Sequence, residues 1–144
     1  MAGDSAQVVW MPGGNRSEIQ LTGEDTAGAF CLLVDEPPAG WSLPAHRHRN
    51  EAETIHVVEG HFEIVLDGVR SELTAGQTIH VPRGAVHSSA NIGERAGRRV
   101  LLFSPAGMER FFAEAGAPTA DSDLEPAETL ACATRHGWEF MPAR

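Results

Sequence analysis

Up to about residue 104, the apolar residues of this chain come in short runs: 29–34, 54–58, 62–66, 78–81 and 100–103. Each has Gly or Pro close to at least one end. Runs of that length with such punctuation read as strands, because an amphipathic helix needs a longer stretch of 3.6-residue periodicity. Between Leu66 and Val69 stands Asp67-Gly68. A two-residue hairpin turn requires positive φ at both central positions, and this dipeptide tolerates it. Many short, turn-punctuated strands predict an all-β sandwich or barrel.

The texture changes after residue 104. Ser104-Pro105 reads as an N-cap followed by a proline at the first helical position. Met108, Phe111, Phe112 and Ala115 follow at helical spacing, and Gly116 ends the pattern. Residues 117–123 form a polar, acidic link. A second helix is predicted over 124–136, with Leu124, Ala127, Leu130 and Ala131 on one face. Arg135 and His136 complement its C-terminal dipole, and Gly137 caps it. The aromatic residues of this tail read as packing. The expected organisation is one domain over residues 1–144, with a barrel core at 28–104 and a helical tail at 105–144.

Charge and cysteine usage narrow the function classes. A net charge of −9 and the lack of any basic run argue against nucleic acid and against anionic membranes. The two cysteines, Cys31 and Cys132, are far apart and form no C-x-x-C. They suggest no disulfide framework. The N-terminal segment lacks a basic region followed by an apolar one, and no apolar run nears bilayer-spanning length. A cytoplasmic protein is the expectation.

Six of the seven histidines lie between residues 46 and 87. In His46-Arg47-His48 the imidazoles are two apart, so on a strand they project to one face while Arg47 projects to the other. Glu53 starts the next apolar run and is expected to return from the strand paired with that of the two histidines. His87 follows a Pro82-Arg83-Gly84 turn. Three imidazoles and one carboxylate form a mixed N/O set that suits one divalent transition-metal ion: Fe, Mn, Ni, Zn or Cu. His56 and His61 are expected outside. The face of His80 is open, and Glu51 is expected as a surface neighbour of Glu53.

The spacing is specific. The chain reads Gly40, five residues, His46, one, His48, four, Glu53, six, Gly60. After fifteen residues it reads Gly76, five, Pro82, one, Gly84, two, His87, three, Asn91. These two motifs resemble those of the cupin superfamily. The resemblance implies a double-stranded β-helix (jelly-roll) barrel, with His46, His48, Glu53 and His87 as metal ligands near one end and Asn91 as a structural residue. Ser104 to Phe112 and His136 to Pro142 resemble the corresponding parts of small quercetin-dioxygenase-like cupins.

Strand alternation puts Ser42, Ile55, Val57, Ile64 and Ser89 on the ligand face, with Val100, Leu102 or their neighbours closing the far wall. Such a pocket would suit a small, largely apolar or aromatic molecule. The resemblance implies a metal-dependent, dioxygenase-like enzyme. The alternatives are a non-redox metalloenzyme (isomerase, cyclase or decarboxylase), which would need an acid or base such as His80 or Glu51, and a non-catalytic small-molecule binder. Small cupins commonly pair, so a homodimer is expected, with residues 7–11 as a candidate exchanged strand.

Overall fold

The computed structural model describes residues 6–142; residues 1–5, read above for a leader, and residues 143–144 lie outside the described residues. Eleven strands and two helices are described: β1 Gln7–Met11, β2 Asn15–Leu21, β3 Cys31–Glu36, β4 Ser42–His48, β5 Ala52–Glu59, β6 His61–Leu66, β7 Val69–Thr74, β8 Thr78–Val81, β9 His87–Asn91, β10 Arg98–Ser104, α1 Met108–Ala115, α2 Pro126–Arg135 and β11 Trp138–Phe140. The strands form an antiparallel six-stranded sheet, β1-β2-β3-β10-β5-β8, and an antiparallel five-stranded sheet, β11-β4-β9-β6-β7. This is the expected jelly roll, with its hydrogen bonds running in two sheets rather than one closed ring.

Burial alternates along the central strands. Cys31, Leu33 and Asp35 of β3 point inward, as do Ile55 and Val57 of β5 and Arg99, Leu101 and Phe103 of β10. Phe62 and Ile64 meet them from the opposite sheet. Each of the buried Leu, Ile, Val and Phe side chains contributes about 1.5–3 kcal/mol on burial. The far wall is therefore Leu101 and Phe103, the neighbours of Val100 and Leu102, which alternate outward. Ser42 departs from the expected parity. A register shift between Leu43 and His46 interrupts the β4–β9 ladder, so Leu43 packs on the core while Ser42 is exposed.

Several turns match their sequence signals. Asp67 and Gly68 take φ of 47° and 83°, and Leu66 pairs with Val69. At Gly60 (φ 107°) the chain turns from β5 into β6 so close to Gly97 that a side-chain carbon there would lie 2.9 Å from the Gly97 Cα. Asn91 is structural, as expected: its Nδ2 donates to the carbonyls of Pro37 (3.0 Å) and Arg95 (2.9 Å).

The tail differs in detail. The first helix starts at Met108 after Gly107 rather than at Pro105, and Gly116 ends it in an extended conformation. The second helix starts at Pro126, where the Glu125 carboxylate caps the amides of Ala127 and Glu128. It buries Cys132 and Ala133 rather than the predicted face; Leu130 is 53 % exposed. The strands extend past the expected 28–104 core at both ends. β1 and β2 form a hairpin at one sheet edge, and β11 adds to β4. The segment expected as an exchangeable strand is β1, here paired with β2 of its own chain.

Two outcomes follow. Cys31 and Cys132 are both buried and unbridged, and burial pushes the Cys31 thiol up to about 12. A thiol-disulfide reagent at pH 8 is expected to register almost no free thiol in the native protein and both thiols in denaturant; rapid native labelling would contradict the packing. Gly97→Ala would drive a methyl into the Phe62 ring, so urea denaturation is expected to show a loss of about 1–3 kcal/mol, and an unchanged midpoint would refute that crossing.

Candidate metal centre

The three histidines come from one sheet and the carboxylate from the other. His46 and His48 lie on β4, and His87 begins the neighbouring β9, with His46 directly opposite His87 in the ladder. Glu53 stands on β5, which pairs with β8 and β10 in the six-stranded sheet. The expectation that Glu53 returns on a strand paired with β4 is thus corrected. After the 49–51 turn the chain crosses to the opposite sheet, and Glu53 meets the imidazoles across the core. Arg47 points outward, as expected.

All four side chains are buried. The imidazole nitrogens of His46, His48 and His87 lie within 4.8 Å of one another. Glu53 Oε1 is 3.1 Å from His87 Nε2 and 3.4 Å from His48 Nε2. Donor atoms sharing one first-row ion, each about 2.1 Å from it, stand roughly 3–4 Å apart. The Glu53 contacts to His87 and His48 fall in that range and the three imidazoles are bounded by 4.8 Å, while Glu53 stands outside the set whose donor atoms are all within that distance of one another.

The protonation pattern also suits a cation. His46 Nδ1 donates to the Pro44 carbonyl (2.8 Å), and His87 Nδ1 donates to that of Ala85 (3.1 Å). A carbonyl can only accept, so each bond puts a proton on Nδ1; in neutral His46 that leaves the Nε2 lone pair facing inward, whereas His87 Nε2 also donates to Glu53 Oε1 and would give up that proton to bind an ion. Among the described residues, His46 Nε2 has no hydrogen-bond partner although it is buried. Burial, reinforced by His87 and His48, lowers the His46 pKa to about 3, so the ring is neutral at physiological pH. Burial alone would raise the Glu53 carboxyl, but hydrogen bonds from His48 and His87 hold it well below the usual carboxylate range. Burial alone would lower His87, and its bond to Glu53 outweighs that and raises it.

The end of the chain roofs this cluster. Trp138 pairs with His48 in the ladder and Phe140 with His46. The Trp138 ring stacks on His46 (centroids 4.7 Å apart) and meets His48 edge-on at 4.5 Å. Its Nε1 donates to Met108 Sδ at 3.1 Å. On the outer face Glu139 accepts from Arg47 and Arg49 at 2.8 to 3.0 Å. The tail aromatics are packing, as read from sequence, but what they pack against is the histidine cluster. The signal was the alternation Trp138-Glu139-Phe140.

The remaining histidines lie elsewhere. His56 and His80 face outward, bonded to Thr78 (2.7 Å) and Thr54 (2.9 Å). His61 lies 3.4 Å from Glu72, and His136 bonds Glu114 at 2.8 Å. Glu51 is buried rather than at the surface, beside Gly107 of the tail. Burial raises its pKa to about 7.

A cavity of about 570 Å³ opens on the cluster. Its lining is largely aromatic and aliphatic, including Trp41, Leu101, Phe103, Phe112 and Trp138, and it includes His46, His48 and Glu53. Leu124 and Leu130, expected to pack α2 against the core, are part of this lining. Neither His80 nor Glu51 is. Arg99 and Asp35 also line it. They form a buried pair with contacts of 3.0 and 2.7 Å, and the guanidinium sits over Trp41 and Phe62 at 4.9 and 5.0 Å. Sequence reasoning missed this pair, because charges on inward positions of strands carry no pattern that names their partner.

Residues 32–103 match the family described as Cupin domain. Over 95 residues the chain is 30 % identical to quercetin 2,3-dioxygenase of Bacillus subtilis (strain 168), a match covering 66 % of this chain and 28 % of that protein. The matched segment therefore spans little more than a quarter of this curated relative. Among solved structures, an RmlC-like cupin from Shewanella frigidimarina superposes with a TM-score of 0.63 at 25 % identity, over 75 % of this chain and 91 % of that one. The polyketide cyclase RemF from Streptomyces resistomycificus gives 0.58 at 27 % identity, over 69 % and 72 %. No helix among the described residues is long and apolar enough to cross a membrane. With both motifs in place, the jelly roll formed and the histidines gathered between its sheets, the chain belongs to the cupin superfamily.

Proposed function

We propose that this cupin is a mononuclear metalloenzyme that acts on a small, largely apolar or aromatic molecule in an oxygenase-type reaction. The observation that carries this reading is the buried, neutral His46 imidazole, whose Nε2 has no partner among the described residues while His48 and His87 offer donor atoms within 4.8 Å of its own and Glu53 contacts both of them. His46, His48, Glu53 and His87 would hold one divalent ion of the Fe, Mn, Ni, Zn or Cu group. A bound ion supplies Lewis acidity and an open position for water, O₂ or a chelating substrate oxygen.

The chain's own residues do the rest. The carbonyls of Pro44 and Ala85 fix the tautomers of two ligands. Trp138 holds the rings of His46 and His48 in place, and the apolar lining excludes water and orients a flat substrate. Acid–base chemistry away from the metal has less support, because neither candidate proton carrier, His80 or Glu51, lines the cavity. Likeness to a polyketide cyclase favours a second reading, a non-redox ring closure on a polyketide-like substrate. A homodimer remains our proposal for the assembly, and the small-molecule substrate is its other partner.

Elemental analysis after loading with Fe(II), Mn(II), Ni(II) or Zn(II) and removal of free ion is expected to find about one equivalent per chain. In His46→Ala the content is expected to collapse while the circular dichroism stays native. A wild type that cannot be loaded would sink the metal reading. Trp138→Ala removes the stacking that orients two ligands and is expected to weaken metal affinity roughly 10–100-fold; unchanged affinity in a competition titration would refute that role. With a panel of hydroxylated aromatic compounds, oxygen uptake is expected from the loaded protein. Turnover that persists under strict anaerobiosis would overturn the oxygenase reading in favour of ring closure.

A further inference from the structure

We propose that Glu114, Cys132 and His136 form a second cation site, separate from the barrel centre, that takes Zn(II) through a thiolate, an imidazole and a carboxylate and fastens α1 to α2.

Cys132 and His136 stand four apart at the C-terminal end of α2, where His136 is the cap, so they share one face of the helix. Glu114 is the penultimate residue of α1. The thiol sulfur, an imidazole nitrogen and a carboxylate oxygen of the three lie within 4.8 Å of one another. A tetrahedral Zn(II) with bonds of about 2.0–2.3 Å sets its donors roughly 3–4 Å apart, a closure that small side-chain rotations supply. The Glu114 and His136 side chains are open to solvent, 49 % and 22 % exposed. Cys132 is 3 % exposed and, with Glu114 and Arg135, lines a second cavity of about 590 Å³ bounded by the end of α1, the link and α2. Asp123, Glu125 and Glu128 line the same cavity. With the net charge of −9, they favour the approach of a cation.

The hydrogen bonds leave a place for the ion. Arg135 donates to Glu114 Oε1 at 2.6 Å, and His136 Nε2 donates to Oε2 at 2.8 Å. Oε1 keeps its arginine. The ion replaces the bond between His136 and Oε2: the Nε2 proton passes through solvent to Nδ1, the Cys132 thiol gives its proton to solvent, and a water completes the tetrahedral set. Arg135, His136 and Glu114 alone would tie the helices together, but that tie needs no thiol. The thiolate is what selects Zn(II) over the harder Mg(II), Ca(II) or Mn(II). Phe111 and Phe112 of α1 and Leu130 and Ala133 of α2 wall the main cavity, so an ion between the helices pins that wall from behind. Three protein ligands, two of them open to solvent, hold an ion less firmly than the four of the barrel. Removal of free ion therefore strips this site and leaves the single equivalent expected above.

The test is a Co(II) titration of the reduced protein under anaerobic conditions, followed by absorption. The barrel centre has only nitrogen and oxygen donors, so a near-ultraviolet thiolate-to-cobalt charge-transfer band reports a cysteine site alone. The band is expected in the wild type and in His46→Ala, and Zn(II), which binds more tightly than Co(II), is expected to bleach it. Cys132→Ala is expected to lose it. His136→Gln keeps the thiol and an amide able to bond Glu114 but offers no imidazole; its titration midpoint is expected to move roughly tenfold or more toward higher Co(II). A wild type that shows no band at saturating Co(II) overturns the site and leaves only the helix tie. A band that survives in Cys132→Ala overturns the assignment to Cys132, and one that Zn(II) does not bleach overturns zinc as the occupant. If Cys132→Ala does not fold, His136→Gln decides, because an unmoved midpoint overturns the three-ligand set. The band in His46→Ala keeps this outcome separate from the fate of the barrel centre.

Discussion

Three imidazoles and a carboxylate buried between two apolar sheet faces cost free energy unless they satisfy one another or a shared ion. Glu53 meets that constraint from one sheet and the histidines from the other, so the cluster spans the core rather than decorating a rim. Much of the molecule is arranged around it. The β4–β9 ladder sets His46 against His87, and the 49–51 crossover delivers Glu53 from the facing sheet. The last strand lays Trp138 over two of the rings. On the outside, Glu139 ties that strand to β4 through Arg47 and Arg49. These surface pairs are each worth little; they accompany a register that turns Trp138 and Phe140, rather than Glu139, toward the histidines.

What was legible in the sequence was whatever local periodicity controls. His46 and His48 share a face because strands alternate, and the two-residue spacing survives any detail of pairing. Asp67-Gly68 dictates its own turn. What was illegible depended on non-local pairing. The face of His80 depends on pairing alone: Glu53 stands opposite Val81, which puts Thr54 and His80 together on the outside. Ser42 lines the cavity as expected, but not by simple alternation: the irregularity between Leu43 and His46 breaks parity, and nothing in Ser42-Leu43-Pro44-Ala45 announces which residue is extra.

The tail shows the same division. Its two helices were visible from apolar spacing and caps, but the face that α2 buries was not. Leu124 and Leu130 form the more hydrophobic stripe, yet Cys132 and Ala133 are the residues that go inside, where small side chains permit close approach. The leucines are left to line the cavity. Glu51 was read as a surface neighbour because the packing of the Gly107–Glu109 segment over it is a tertiary event. The polar set Asn15–Asp35–Arg99 was likewise invisible: Asn15 stands in a mostly polar strand whose inward face only pairing reveals.

The central claim is that His46, His48, Glu53 and His87 close around one ion. Anomalous diffraction at the absorption edge of a metal bound to the crystalline protein tests it most directly. A single strong peak is expected at bonding distance, about 2.0–2.2 Å, from the three Nε2 atoms and a Glu53 carboxylate oxygen. A peak elsewhere, or none between the two sheets of a protein shown to carry the metal, would contradict it.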